Sequence, residues 1–382
     1  MGSPDPTFQE TSRGWAVVRW IPAIEALRGV AALSVIVGHA IGQVHPTVEG
    51  AVVSPVQVLF SWLGSWGVAL FFVLSGFCIH LPQAAGLAAH GELRSPAWGG
   101  FYARRCRRLL PTHYAALVLS ALVGLRFEAN LVHPPAAPTF LAHVFMVHTW
   151  WAVAFHSING VLWTIAIEFH FYFAYPVFLA LRRKLGPMGT TAALLVVGLA
   201  VYGAASVLLA GSESRGVGQN LFVVYWWQWA FGAALAEIYA SGRAPSWAPL
   251  FTTRAAPWVW GISSLALAFA DIVVLRLHVR YWLLPLFCAM FLLSVVIRPW
   301  NPTPLGVALS RAGLISYSLY LIHPVALALG AEATAGLPGI VRILVLIVLS
   351  VLCSALFFRV CEAPFLPKRA KATTAASALF VS

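Results

Sequence analysis

The sequence predicts an all-α membrane protein, a polytopic bundle of about ten spanning helices with one re-entrant segment near 139–155. Three observations carry that prediction. Apolar residues make up 60% of the 382 positions and charged residues 9%, against roughly 25% charged in an ordinary soluble domain. Apolar stretches close to the about 20 residues that cross a bilayer recur along the whole chain. The basic residues gather in short clusters between those stretches. So few charges cannot clothe a soluble globule of this length, which excludes a cytosolic enzyme, a disordered chain and a disulfide-built secreted module. The net charge of +12 is therefore a membrane-orientation signal and not a nucleic-acid surface. Cys78, Cys106, Cys288, Cys353 and Cys361 are widely scattered; they form neither a zinc spacing nor a disulfide framework, and no metal is expected.

The elements follow in order. Residues 1–20 lack an apolar core followed by a small-residue cleavage site, so they are expected to be a cytoplasmic N-terminal segment, not a cleaved signal. Spans are expected near 24–43, 57–81, 109–127, 161–181, 190–210, 220–241, 257–275, 281–298, 313–330 and 339–361. The shorter stretch 139–155 is decided by charge. If it dips into the membrane without crossing, 17 of the 24 Lys+Arg face the cytoplasm and five face outward. If it crosses, every later loop flips and the sides balance at 11 each. The positive-inside rule selects the first arrangement, with both termini cytoplasmic. A backbone that enters the membrane without spanning must line a cavity or be buried in protein, which makes 139–170 a candidate site region. His143 and His148, five apart, would lie on different faces of a helix and make no convincing metal pair. Residues 367–382 read as a basic, disordered cytoplasmic tail.

Within this apolar frame a few polar residues stand out. Arg28 and His39 lie eleven apart in the first span, which at about 100° per residue brings them to one face, roughly 16 Å apart along the axis. With Glu25 one turn before Arg28, they form a polar track, and ionisable residues inside a membrane are functional candidates by default. In the second span Gly64, Gly67 and Gly76 suit close helix approach, and Ser75 can donate to a ligand. The run Arg104-Arg105-Cys106-Arg107-Arg108 serves as an inside anchor and equally suits a phosphate-rich ligand. Glu168 sits well inside its helix, with Trp163 before it and Tyr172 one turn on, placed to hydrogen-bond it. Tyr320 and His323 share one turn ahead of Pro324.

Arg28 and His39, FFVLSGF at 71–77, FYARRCRRLLP at 101–111, LWTIAIEFHFYFAYP at 162–176 and ISYSLYLIHP at 315–324 occur in this order. Together they resemble the acyltransferase-3 family of integral membrane acyltransferases, over residues 21–366. The resemblance implies transfer of an acyl group, most often acetyl from cytoplasmic acetyl-CoA, to a hydroxyl of an envelope or exported glycan, and in some relatives of a small natural product. It implies that Arg28, Arg104, Arg105, Arg108 and Ser75 hold the donor. His39 would act as general base or take the acyl group briefly itself, and Glu168 would orient His39 or carry a proton. Trp163, Tyr172, Tyr320 and His323 would line or support the acceptor side. The sequence departs from the family pattern in two places. Phe169 stands where relatives often have a second acid, and this sequence ends soon after its last helix where many relatives carry a hydrolase-like domain, so transfer is expected to be completed in the membrane domain or by a partner. A transporter or flippase, with the polar track as its permeation route, is the alternative reading.

Overall fold

The computed structural model describes residues 8–10, 16–18, 21–45, 55–127, 131–242, 249–270, 282–300 and 303–366. The expected tail at 367–382 lies outside them, as does most of the N-terminal segment. One correction to the all-α expectation comes first. Strands β1 (Phe8–Glu10) and β2 (Ala16–Val18) pair antiparallel, with Phe8 opposite Val18. The other regular elements of the described chain are helices, apart from an isolated bridge between Val132 and Asn159.

Five helices among the described residues are long and apolar enough to cross a membrane, and a sixth if one bent pair counts as a single span. Ten spans are not shown. The long ones begin with α1 (Pro22–Val44), α2 (Pro55–His90) and α3 (Trp98–Gly124); α3 opens with the arginine cluster, which keeps it out of the apolar set. After α4 (Ala137–Val144) and α5 (Ala152–Phe155) comes α6, which runs from Leu162 to Leu208. It is broken at Gly186, whose φ of 72° is left-handed and costs a glycine little. Phe171 packs on Phe222 with ring centroids 6.4 Å apart. Gly198 also meets this region: a Cβ there would stand 3.3 Å from the carbonyl oxygens of Val223 and Val224. An unbroken helix would hold residues 171 and 198 about 40 Å apart. The chain therefore doubles back at Gly186, and the expected spans 161–181 and 190–210 are the two arms of one hairpin.

Short α7 (Ser214–Gln219) leads into α8 (Phe222–Ser241), and α9 (Pro249–Thr252) into α10 (Ala256–Ala270) and α11 (Leu284–Val296). The last two, at 15 and 13 residues, are shorter than the expected spans 257–275 and 281–298, parts of which lie outside the described residues. The expected span 313–330 falls on α13 (Ser316–Ala333), which meets α12 (Pro304–Leu314) at 77° to form the bent pair. The last long helix, α14 (Gly339–Phe357), runs into a π-helical turn at Phe358–Glu362.

The centre of the molecule is α2, packed against α1, α8, α10 and α11. Its crossing with α8 is reciprocal. A Cβ on Gly76 would collide with the backbone of Trp229, and one on Gly232 with the backbone of Val73. The crossing of α1 with α12 repeats the device through Gly29, against Leu309, and Gly313, against Glu25. Of the glycines expected to allow close approach, Gly67 meets Ala31 and Ser34 of α1, whereas Gly64 faces open space. At one end of the core a buried polar chain ties three helices. His80 of α2 lies 2.9 Å from both the Tyr175 hydroxyl and Glu237, and Arg182 donates twice to Glu237 at 2.8 and 2.5 Å.

The 139–155 stretch is no continuous helix. It consists of α4, a 3₁₀ turn at His148–Trp150 and α5, with Met146 at a left-handed φ of 59°. Because the helix breaks there, the His143 and His148 rings are not held on separate faces; they stack with centroids 3.8 Å apart. Beyond it, Asn159 donates to the Ser120 hydroxyl at 2.8 Å and the Leu321 carbonyl at 3.1 Å, fastening this segment to α3 and α13.

Candidate functional site

Two cavities meet inside the bundle. The first, of about 390 Å³, is lined by Glu25 and Arg28 of α1, Ser75 and Cys78 of α2, Arg105 and Arg108 of α3, Glu168 and Tyr172 of α6, and Tyr317 and Tyr320 of α13. Motifs nearly 300 residues apart thus converge on one space. The second, of about 670 Å³, is lined by His39, Trp163, His156, Asn220, Tyr225 and Gln228 among others. Val68, Phe72 and Tyr320 line both, so the two spaces lie back to back across these three side chains.

The Arg28 cavity is strongly charged. Glu25 sits 3.5 Å from Arg28 one turn away. Glu168 accepts a 2.6 Å hydrogen bond from Tyr172 and one of 3.1 Å from Ser75. The i to i+4 spacing of Glu168 and Tyr172 allows the first; only the tertiary packing of α2 on α6 supplies the second. Arg105 lies over the rings of Phe101, at 5.5 Å, and Tyr172, at 5.8 Å, a cation–π arrangement that holds a guanidinium in place without consuming its fork of donors. Three guanidinium groups against two carboxylates leave a formal excess of positive charge, suited to an anion with several oxygens. Arg104 does not join them. It is exposed and points away from the cavity lining, since about 100° of helix rotation separates it from Arg105.

The His39 cavity has the opposite character. Among the described residues lining it there is no Arg, Lys, Asp or Glu. Its walls are aromatic and amide. Trp163 packs on Phe155, Phe72 and Tyr225 with ring centroids 5.7, 6.5 and 5.7 Å away. The Tyr225 hydroxyl donates to Asn220. His39 Nδ1 lies 2.8 Å from Nε2 of His323, which is wholly buried in α13. His323 Nδ1 in turn lies 3.1 Å from the Leu319 carbonyl oxygen.

Three expectations change here. Glu168 is not brought to His39: it belongs to the Arg28 cavity, and the partner of His39 is His323. Trp163 and Tyr172 do not share one side, because they are nine residues apart on α6 and open into different cavities. Tyr320 stands between the two spaces and not on one of them. Several lining residues receive no site role in the sequence reading, among them Cys78, His156, Asn220 and Gln228. Gln228 did leave a signal, a lone amide in the aromatic run Tyr225-Trp226-Trp227-Gln228-Trp229, where an apolar span gives an amide little reason to stand unless it bonds across helices or faces a cavity.

The acyltransferase-domain family matches residues 21–359. Among curated proteins the chain is 30% identical over 174 residues to YrhL of Bacillus subtilis, provisionally designated a peptidoglycan O-acetyltransferase; the match covers 42% of this chain and 24% of that protein. It is 29% identical over 179 residues to the peptidoglycan O-acetyltransferase OatA of Listeria monocytogenes, covering 44% and 25%. A provisionally designated O-acetyltransferase of Staphylococcus aureus is 28% identical over 207 residues, covering 48% and 30%. The matches thus span only 24–30% of these relatives' own lengths. No solved structure matches the chain significantly.

Proposed function

The chain belongs to the acyltransferase-3 family of membrane proteins, and from that premise we propose that it moves an acetyl group from cytoplasmic acetyl-CoA to a hydroxyl of an envelope or exported glycan. The observation that carries this reading is the pairing of a cationic cavity with an uncharged one across Val68, Phe72 and Tyr320. Arg28, Arg105 and Arg108 hold the phosphates of the donor, and Ser75 and Tyr172 fix the carboxylate of Glu168 among those cations. The acceptor enters the His39 cavity, where aromatic walls and amides suit a neutral hydroxylated ring.

The chemistry then needs one base and one leaving group. His39 Nε2 takes the proton of the acceptor hydroxyl, and the hydroxyl oxygen forms a bond to the thioester carbonyl carbon. The carbon–sulfur bond breaks, and the departing thiolate takes the proton from His39, leaving an ester and free coenzyme A. Imidazole suits the task because one ring nitrogen can take a proton and give it back while the other stays hydrogen-bonded. The names of the relatives support a glycan acceptor. Purified protein in detergent, given radiolabelled acetyl-CoA, should acetylate an added glycan or slowly hydrolyse the thioester. A transporter would do neither, and that result would overturn the assignment.

The same proposal includes ten crossings with both termini in the cytoplasm. It is supported by the doubling back of α6 at Gly186, which makes two arms of the expected spans 161–181 and 190–210, and by the excess of basic residues that this arrangement places on the cytoplasmic side. Lys184→Cys and Ser214→Cys, each in a background without the native cysteines, test it with an impermeant thiol reagent on intact cells. Residue 214 should label and 184 should not; the reverse pattern would exclude this topology.

A further inference from the structure

We propose that His323 is the positioning residue of the transfer reaction: its buried ring fixes which nitrogen of His39 carries the proton, leaving Nε2 of His39 bare toward the acceptor. The inference rests on the reading of His39 as base and deepens it.

The argument runs along one line of hydrogen bonds. A carbonyl oxygen only accepts, so the 3.1 Å contact between His323 Nδ1 and the Leu319 carbonyl requires the hydrogen on Nδ1. A neutral imidazole carries one N–H, so Nε2 of His323 is an acceptor. It faces His39 Nδ1 at 2.8 Å. Two lone pairs at that separation would repel, so His39 Nδ1 is the donor and its own Nε2 is left with a lone pair. The ring geometry agrees. The two planes differ by 9° and the centroids are 5.0 Å apart. With the nitrogens only 2.8 Å apart, the rings lie end to end in nearly one plane, as an in-plane N–H donor requires, and not face to face.

Burial decides which atom meets the substrate. His323 is fully buried and His39 lines the cavity. The Nδ1 edge of His39 is turned to the buried ring, so the opposite edge, with Nε2, is the part open to a ligand. The Tyr320 ring flanks His323 at 5.9 Å and closes it off from the Arg28 side. Among the described residues no carboxylate is hydrogen-bonded to either ring. The orienting task that an acid often performs for a catalytic histidine thus falls here to a second, neutral histidine. When His39 becomes imidazolium during transfer, its Nδ1–H bond to that neutral acceptor strengthens, while His323 need neither gain nor lose a proton.

Protein carrying ¹⁵N-labelled histidine, reconstituted in lipid nanodiscs, tests this before any reaction is run. The His39 signals, identified by their loss in His39→Ala, should show a protonated Nδ1 and an unprotonated Nε2. An unprotonated Nδ1 in the wild-type protein would overturn the proposal whatever the variants do, and would leave the acyltransferase reading standing. In His323→Leu the tautomer preference should disappear and turnover at saturating donor should fall on the order of 10²-fold, with acetyl-CoA affinity unchanged. His323→Gln, whose amide oxygen can accept from Nδ1–H, should recover at least a tenth of the wild-type rate. Full turnover and an unchanged His39 tautomer in His323→Leu would reduce His323 to packing and sink the proposal. An active His39→Ala would instead overturn the base assignment itself.

Discussion

His39→Ala is expected to abolish acyl transfer and to leave acetyl-CoA binding nearly intact. His39 lines only the uncharged cavity, whereas Arg28, eleven residues earlier on the same helix, lines only the cationic one. Their common face does not give them a common task. Arg28→Lys keeps the charge but loses the planar fork that grips phosphate oxygens in pairs, so it should raise the apparent Michaelis constant for acetyl-CoA with a smaller effect on turnover. Donor affinity measured calorimetrically and turnover measured by product analysis, for both variants in one detergent, give a two-by-two outcome. Loss of donor affinity in His39→Ala equal to that in Arg28→Lys, with turnover at saturation retained, would refute the division of labour.

Glu168→Gln should express and fold, yet lose acyl transfer by on the order of 10²-fold or more, the usual effect of removing a positioned charge or proton carrier. The glutamine retains an oxygen able to accept from Tyr172 and Ser75, so both contacts seen at Glu168 Oε1 can persist. What goes is the negative charge among Arg28, Arg105 and Arg108. Tyr172→Phe provides the scale, since it removes one hydrogen bond and keeps the charge; its loss should be the smaller. Normal turnover in Glu168→Gln would make the carboxylate a structural counter-ion only.

Much of this site was legible because it is local. Helical spacing alone puts Arg28 and His39 on one face and Tyr172 within reach of Glu168. The dip in apolarity at Arg182-Arg183-Lys184-Leu185-Gly186-Pro187 marks the place where α6 turns back. The rest depends on contacts between distant segments. His39 and His323 are 284 residues apart, and Ser75 and Glu168 are 93 apart; no periodicity reports such pairs. The split into two cavities was equally hidden: Val68 and Phe72 look like ordinary span residues, and Tyr320 stands out in the sequence without any sign that it borders two spaces. The unexpected stacking of His143 on His148 has a local cause. Separate faces for His143 and His148 require a continuous helix between them, and nothing in the residue types announces the left-handed turn at Met146.

The reciprocal crossing of α2 with α8 bears on how this scaffold can change over time. At Gly76 and Gly232 the obstacle to a methyl group is main chain on the facing helix, and main chain has no rotamer into which it can retreat. Gly76 adjoins Ser75, and three residues before Gly232 stands Trp229, at the heart of the aromatic core. Even alanine at either position must displace a whole helix, and with it the wall that carries Ser75 toward Glu168. The aromatic lining of the His39 cavity has no such constraint, because a side chain there borders empty space. Variation among descendants of this chain should therefore collect around the His39 cavity, while the featureless glycines stay fixed: the uncharged space can be reshaped by single substitutions, and the helix crossing that carries Ser75 cannot.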